Sequence, residues 1–185
     1  MNAKLSDFTT ATASTTEPQF GDDMTAAEFR DACEQYAEYA VDQFDSFDPV
    51  DMGEITVEVS NQMERTAGKA IRKGDELTMR FAFGAYEKWG WSDRMKSTVR
   101  HELVHMVQFV EGRTVDHGLF FEIMAEKVDV SQFCDQFTDY KYILFCSECG
   151  DMVGGRHRKS KIVKNPEQTN YVSPCCRATI ESEEA

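Results

Sequence analysis

The stretch His101-Glu102-Leu103-Val104-His105 holds two histidines four residues apart, with a glutamate beside the first. Residues at this spacing share one face of a helix, so both imidazoles can reach a single metal ion. Neutral imidazole is a preferred ligand of zinc. Zinc would lower the pKa of a water molecule to about 7, and Glu102 would accept its proton for attack on a carbonyl group. The pattern predicts a hydrolytic zinc centre if a helix and a third ligand accompany it.

The third ligand should come from the residues that follow this motif, since a catalytic zinc site keeps its fourth position open for water. His117 lies twelve residues after His105, beyond a turn marked by Gly112 and at the start of the next predicted helix. A helix–loop–helix return can bring it back to the metal. Glu122 is the second choice, because a glutamate from a following helix serves in some zinc peptidases. The remaining candidates are Glu111 and Asp116.

The elements around the motif predict a small α+β domain. Thr25-Ala26-Ala27-Glu28 is a capping box, and the apolar spacing after it predicts a helix from about 25 to 45, ended by Asp48-Pro49. Three alternating stretches predict a small antiparallel sheet. Two further helices follow, and the first of them carries the two histidines. The predicted strands lie at 55–59, 67–73 and 77–83, and these helices at 92–110 and about 120–128.

Four of the six cysteines cluster near the C-terminus, which in a cytosolic chain indicates metal before disulfide. Cys146-x-x-Cys149, followed by Gly150, is one half of a zinc knuckle, whose tight turn lets two thiolates face one ion. The partner pair, Cys175-Cys176, is adjacent rather than two residues apart. Either both of these cysteines bind a structural zinc ion, which we favour, or His157 replaces one of them. Such a closed site would stabilise a unit too small to hold a core alone.

The net charge of −13 and the sequence pI of about 4.7 favour solubility and argue against indiscriminate nucleic-acid binding. The same composition suits the high-salt cytoplasm of a halophile, where screening reduces self-repulsion. No run approaches 18 consecutive apolar residues, and the N-terminus lacks the basic and apolar regions of a signal peptide. We therefore expect a cytoplasmic protein with no membrane partner.

The charge is unevenly distributed, and the change predicts a domain boundary. Residues 140–185 hold seven basic and six acidic side chains, whereas the preceding part of the chain is strongly acidic. We predict a disordered tail over residues 1–22, a catalytic domain over 23–139 and a zinc ribbon with an acidic tail over 140–185. Two cysteines stand apart from the cluster and are predicted to be small buried hydrophobes. They are Cys33 and Cys134.

Basic side chains stand between the two cysteine pairs. With Tyr142 and Tyr171 nearby, they would contact phosphates and stack on bases, which makes DNA a candidate partner of the ribbon. The alternative is a solvated hairpin whose basic residues balance an acidic domain. The basic residues are Arg156, Arg158, Lys159, Lys161 and Lys164.

HELVH, then EGR, then DHG followed by Phe121 resembles the SprT-like zinc metallopeptidases, the Spartan-related family. The resemblance implies a minimal zincin-like domain of helix, small antiparallel sheet, HExxH helix and histidine-bearing helix, followed by a zinc ribbon. It also implies that His101, His105 and His117 are zinc ligands, which favours His117 over Glu122, and that Glu102 is the catalytic acid/base. Protein substrates, often near DNA, are what this family implies.

The leading hypothesis is a metallopeptidase with one catalytic and one structural Zn²⁺, acting on protein or peptide substrates that include DNA-bound or DNA-crosslinked proteins in DNA repair. The alternative is a non-catalytic nucleic-acid-binding or transcription-associated zinc protein. The intact Glu102 argues against it, since a structural site needs no such carboxylate. A small non-proteolytic zinc hydrolase is the third hypothesis. The spacing selects no oxyanion donor among Tyr86, Arg94 and Arg113.

Overall fold

The structure of the protein is a computed structural model, and it describes residues 16–131 and 137–185. The chain divides into two compact units, Met1–Phe137 and Thr138–Ala185. The described helices and strands of the first unit are α1 (Ala26–Gln43), β1 (Ile55–Ser60), β2 (Gly68–Lys73), β3 (Glu76–Ala82), α2 (Phe83–Trp89), α3 (Asp93–Val110) and α4 (Leu119–Lys127).

Helix α1 begins where the sequence predicts, because Thr25 and Glu28 form a reciprocal capping box. The Thr25 side chain accepts a hydrogen bond from the Glu28 backbone N–H, and the Glu28 carboxylate accepts one from the Thr25 backbone N–H at 2.8 Å. Phe44 has an extended backbone, so the helix ends before the predicted stop at Asp48-Pro49. Cys33 lies on the buried face of α1 as a small hydrophobe, which confirms its predicted role.

The sheet of the first unit is mixed, and the predicted antiparallel sheet is wrong in one of its two pairings. β2 and β3 form a hairpin across the turn at 73–76, but β1 pairs with β3 in parallel, in the order β1-β3-β2. β3 carries the buried Leu77, Met79 and Phe81. Because this apolar strand is central, its backbone is hydrogen-bonded to a neighbouring strand on each side. Alternation predicts which face of a strand is buried, but it predicts neither the neighbour nor the direction.

A short helix, α2, follows β3 directly, although Gly84 and Gly90 interrupt any helical pattern in the sequence. It buries Ala85 and Tyr86, and the Tyr86 ring stacks on Phe29 of α1 with the ring centroids 4.6 Å apart. Gly90 ends the helix with a φ of +63°, a positive value that glycine adopts without steric strain. The segment predicted as the end of a strand and a break is therefore a helix that packs on α1.

The residues just before α1 are packed against the first unit. The Tyr86 hydroxyl donates to the Gly21 carbonyl oxygen at 3.1 Å, and an Asp22 carboxylate oxygen accepts from the Trp91 backbone N–H at 3.1 Å. The predicted disorder of the N-terminal tail is therefore wrong for Gly21 and Asp22. The part of that predicted tail up to residue 15 lies outside the described residues.

Helix α3 matches the predicted helix at 92–110 to within one residue. One side of it packs against the sheet and α1, and most of its residues are buried. Val110, at the end of the helix, is 46% exposed. Beyond it, the N–H groups of Gly112 and Arg113 bond to carbonyl groups of the last turn, and Gly112 has a left-handed backbone. The chain therefore reverses and α4 packs back on α3.

The second unit is a small antiparallel sheet with a short helix. Its three strands pair side by side, with the first of them in the centre. The buried apolar core of its described residues consists of Leu144, Ile162 and Ile180, which is little for an independent unit. Its elements are β4 (Tyr142–Cys146), β5 (Met152–Arg156), α5 (Lys161–Lys164) and β6 (Ile180–Glu184).

The described residues form a mixed α+β protein with two small sheets and several helices, which confirms the predicted class. A cysteine cluster lies in the second unit. The finer zincin-like arrangement stays a prediction. Residues 132–136, which include Cys134, lie outside the described part. Within that part, none of the helices combines the length and the apolar character needed to cross a membrane.

Candidate metal centres

Helix α3 and the loop after it bring three imidazoles together. His101 and His105 lie one turn apart on α3 and share one face of it. Because Gly112 reverses the chain, His117 returns to the same face just before α4. The Nε2 atom of His117 lies 3.1 Å from that of His101 and 3.1 Å from that of His105. The three histidines singled out in the sequence therefore meet at one point, which we call the histidine centre.

Hydrogen bonds at the opposite ring nitrogen orient two of these histidines. His101 Nδ1 lies 3.0 Å from the Ser131 carbonyl oxygen, and since a carbonyl can only accept, Nδ1 donates there. His105 Nδ1 lies 2.7 Å from Gln108 Oε1, and the Gln108 amide group donates to the Asp116 carbonyl oxygen at 2.9 Å. With hydrogen on Nδ1, each Nε2 presents its lone pair to the shared point.

Neither Gln108 nor Ser131 was among the residues singled out from the sequence. Gln108 carries a usable signal, because it is a polar residue on the buried face of α3, three residues after His105 and thus beside it on the helix. Ser131 carries none, since its contribution is a backbone carbonyl at a position that only the folded chain defines.

The donor set fits a zinc ion. Burial, and to a smaller extent the nearby imidazoles, lower the pKa of His101 to about 4, and burial also lowers the pKa of His105. Both rings are therefore neutral at neutral pH, the state in which imidazole binds a metal. Nitrogens bound to a tetrahedral zinc ion at about 2.0–2.1 Å would lie roughly 3.3–3.4 Å apart, close to the observed separations. Three converging lone pairs would repel one another without a cation.

Phe121 provides an apolar floor to the histidine centre. It lies in the first turn of α4 and is fully buried. Its ring centroid lies 4.7 Å from that of His101, 4.9 Å from that of His105 and 4.5 Å from that of His117. The ring therefore contacts all three imidazoles and excludes water from their inner side.

Glu102 is held between α3 and strand β2. It is 3% exposed, and burial raises the pKa of its carboxyl to about 8, although a hydrogen bond from the Ala70 backbone N–H opposes that change. Gly68 makes the close approach possible, since a Cβ atom there would lie 2.5 Å from Glu102 Oε1 and 2.8 Å from Thr98 Cγ2. A glycine within a predicted strand is a sequence signal for such an approach. Packing and a backbone hydrogen bond therefore fix the position of the predicted catalytic carboxylate.

An open cleft of roughly 480 Å³ gives access to Glu102 and the three histidines. Strand β2 forms one wall of the cleft, and it is an edge strand, since β3 is its one partner among the described strands. The loop before α4 forms the other wall through Val115 and Asp116. The histidine centre and the carboxylate are therefore both reachable by a ligand lying along the edge of β2.

The remaining candidates for the third ligand serve other contacts. Glu111 pairs with Arg113, and an Asp116 carboxylate oxygen accepts from the Gly118 backbone N–H at 2.9 Å. Glu122 is exposed on α4. Among the described residues, none of these three carboxylates belongs to the histidine cluster.

The suggested oxyanion donors do not gather at the cleft. The Tyr86 hydroxyl is used within the core, where it donates to the Gly21 carbonyl. The Arg113 guanidinium lies over the Phe120 ring at 4.0 Å and beside Glu111. Arg94 lines a neighbouring cavity along the first half of α3. The structure therefore singles out none of the three for this role.

Four cysteine sulfurs gather in the second unit and form what we call the cysteine centre. The Sγ atoms of Cys146, Cys149, Cys175 and Cys176 all lie within 4.8 Å of one another. Gly150, with φ +73°, allows the tight turn after the first pair, and Arg177, with φ +57°, shapes the turn that presents the second. The adjacency of the second pair therefore does not prevent both sulfurs from reaching the cluster.

The alternative ligand His157 lies elsewhere: its ring centroid is 5.2 Å from that of Tyr140. The buried Ser173 supports the cluster instead, and it was not singled out from the sequence. Its hydroxyl oxygen lies 3.2 Å from Cys146 Sγ and accepts from the Ala178 backbone N–H at 3.1 Å. The hydrogen bond with Ser173 is the main cause that lowers the pKa of Cys146 to about 6. Four converging sulfurs fit a closed zinc site.

Comparison with known proteins bears on the first unit. The sequence matches the SprT-like family over residues 30–141, well over half of the chain. The matched segment includes the three clustered histidines, Glu102, and both walls of the cleft. It ends before Cys146, so the cysteine centre lies outside the match. No curated protein and no solved structure matches the chain significantly.

Proposed function

Because the chain belongs to the SprT-like family, we propose that it is a zinc-dependent metallopeptidase. The observation that carries the proposal is the convergence of three imidazole Nε2 atoms in a cleft that also contains a buried glutamate. Three neutral protein ligands with an open approach are typical of catalytic rather than structural zinc sites. His101, His105 and His117 would hold the ion.

Zinc, when bound, supplies a Lewis acid that polarises a carbonyl group and acidifies water. Glu102 is the acid/base: a cation held by the histidines would lower the pKa that burial raises, so that its carboxylate takes the proton of the attacking water and later delivers it to the leaving amine. The Ala70 N–H holds that carboxylate in place between α3 and β2, and the absence of a side chain at Gly68 leaves room for it. Phe121 keeps water from the inner side of the imidazoles.

The edge of β2 favours peptide substrates over small molecules. An extended polypeptide can add main-chain hydrogen bonds to an unpaired strand edge, which a small ester or amide cannot repeat along several residues. β2 borders the cleft through Gly68, Lys69 and Ala70, directly beside Glu102. This arrangement supports the peptidase proposal against a non-proteolytic zinc hydrolase.

The test compares wild type with Glu102→Gln for hydrolysis of unfolded protein and of short peptides. We expect Glu102→Gln to keep its zinc and to lose about 10²–10⁴-fold in rate, the usual contribution of acid–base catalysis. Glu126→Gln, an exposed position on α4, is the matched control and should retain the wild-type rate. A zinc-loaded wild type that cleaves none of these substrates, or a Glu102→Gln variant as active as wild type, would refute the proposal.

A second candidate function, nucleic-acid binding by the second unit, is supported by its exposed cations. The Lys159 ammonium lies 5.7 Å from the Tyr142 ring centroid, and Tyr171 is 66% exposed. Such cations and rings suit phosphates and bases, and with the peptidase proposal they would place DNA-bound proteins among the substrates. The cations are Arg156, Arg158, Lys159, Lys161 and Lys164, all exposed.

Salt dependence tests this second function. Binding of the full chain to single- and double-stranded DNA should weaken as salt rises, and the double variant Lys161→Gln/Lys164→Gln should show a shallower dependence of log affinity on log salt. Lys69→Gln/Lys73→Gln in β2 removes the same charge from the first unit and should leave the slope unchanged. Absence of binding at low salt would exclude the function.

A further inference from the structure

The segment after α4 supplies the acceptor that orients His101, and one arginine holds this segment. Ser131, whose carbonyl accepts from His101 Nδ1 at 3.0 Å, belongs to no helix or strand. A carbonyl in irregular backbone is a useful orienting group only if the chain that carries it is fixed. The contacts that fix it come from Arg100, the residue next to His101 on α3.

The Arg100 guanidinium contacts three groups from two other parts of the unit. Its Nε donates to the Val128 carbonyl oxygen at 2.8 Å, and Nη2 donates to the Asp129 carbonyl oxygen at 2.8 Å. Its Nη1 donates to the hydroxyl of Tyr36, a buried residue of α1. A planar guanidinium has its donors in fixed directions, so three such contacts define where the segment lies relative to α3 and α1.

The end of α4 has a conformation that benefits from this support. The Val130 N–H bonds back to the Ala125 carbonyl oxygen at 3.0 Å, and Asp129 has a left-handed backbone with φ +52°. This is the hydrogen bond and the left-handed residue of a Schellman ending, which glycine usually occupies. The last carbonyl groups of a helix lack partners within it, and Arg100 supplies charged donors to the carbonyl of the C-cap residue Val128 and to that of Asp129 just beyond it.

We propose that Arg100 is a positioning residue for the histidine centre: by holding the chain at 128–131, it keeps the Ser131 carbonyl on His101 Nδ1 and thereby aims His101 Nε2 at the metal. The side chain next to a ligand on α3 thus acts on that ligand through the segment after α4, with α1 as its support. The inference rests on the proposed function only in requiring zinc at the three histidines.

The test measures the zinc affinity of each centre in the full chain, by competition with a chromophoric chelator. Arg100→Met should weaken zinc binding at the histidine centre by about 10- to 100-fold, the usual effect of losing an outer-shell partner. Arg100→Lys keeps the charge but not the planar arrangement of donors, so its zinc affinity at the histidine centre should lie between those of wild type and Arg100→Met. The cysteine centre is the internal control, and its affinity should not change.

Two further variants separate positioning from general destabilisation. Arg80→Met removes an arginine that pairs with Glu58 at 2.7 Å and should leave both affinities at the wild-type value. Tyr36→Phe keeps the buried ring, removes one acceptor of the guanidinium, and should weaken zinc at the histidine centre by less than Arg100→Met. It also decides the matter if Arg100→Met does not fold.

Unchanged zinc affinity at the histidine centre in a folded Arg100→Met protein, or in Tyr36→Phe if the former does not fold, would overturn the inference. Equal weakening at both centres would overturn it too, because it would indicate a loss of stability throughout the chain. A wild type that binds zinc at the histidines but hydrolyses no peptide would refute the peptidase and leave this inference standing.

Discussion

Single hydrogen bonds decide which nitrogen of His101 and of His105 faces the point where the three imidazoles meet. The sequence indicates His101 and His105 by their spacing, but spacing cannot say which ring nitrogen carries the proton. The Ser131 carbonyl and the Gln108 side chain settle this for the two rings on α3. The two histidines on α3 could be predicted from the sequence because helical spacing is a local property. The groups that orient them depend on how α3 packs against the loop and the end of α4.

At the scale of single residues, Gly68→Ala tests the close packing of Glu102 against β2. The added Cβ would lie 2.5 Å from Glu102 Oε1 and 2.8 Å from Thr98 Cγ2, so these side chains must shift. We expect the free energy of unfolding to fall by about 1–3 kcal/mol, the usual cost of overpacking, and hydrolysis to fall while zinc content is retained. Urea unfolding, zinc analysis and a peptide assay measure the three quantities.

The control for this substitution is Gly21→Ala, where an added Cβ would meet nothing within 4 Å. It should match wild type in stability and in hydrolysis. Wild-type behaviour of Gly68→Ala in both respects would contradict the close packing between β2 and α3.

At the scale of helices and strands, local sequence signals predicted where most elements lie, but they did not predict how the strands pair. The capping box at Thr25 and the apolar spacing of α3 predicted two helices with small errors at their ends. The direction of β1 was mispredicted, because alternation is the same in parallel and antiparallel pairs that bury one face. Helix α2 was missed, because Gly84 in its first turn and Gly90 at its end suggest a break, while its burial against Phe29 is a tertiary effect.

The capping box of α1 should make stability depend on pH. Hydrogen bonds from the Thr25 backbone N–H and hydroxyl lower the pKa of Glu28 below its ordinary value of 4.5. A carboxyl with a lowered folded-state pKa stabilises the fold above its unfolded-state pKa, and the contribution is lost as pH falls through the folded value. The difference in unfolding free energy between wild type and Glu28→Gln should therefore be largest near neutral pH and disappear in acid.

Urea unfolding at a series of pH values measures this difference. Glu38→Gln, an exposed glutamate later in the same helix, should show no such trend relative to wild type. A wild-type advantage over Glu28→Gln that is the same in acid as at neutral pH would show that the charge of Glu28 does not contribute through the cap.

At the scale of the whole molecule, the chain carries two candidate metal centres of opposite kind. The histidine centre offers three imidazoles beside an open cleft, as a reactive site requires, and the cysteine centre offers four sulfurs, as a closed structural site requires. The buried apolar cluster among the described residues of the second unit consists of just Leu144, Ile162 and Ile180, so metal binding there would contribute directly to its folding. Sequence spacing predicted His101, His105 and the two cysteine pairs, because each of these is a local motif, whereas the preference for His117 over Glu122 came from the family resemblance.

The number of zinc ions per chain in purified His117→Ala tests the central claim most directly. His157→Ala is the control, since His157 lies against Tyr140 and not in either cluster. We expect two zinc ions in wild type and in His157→Ala, and one in His117→Ala, because two imidazoles alone bind zinc too weakly to retain it through purification. Two zinc ions retained in His117→Ala would contradict the assignment of the three histidines as the ligands of a catalytic metal.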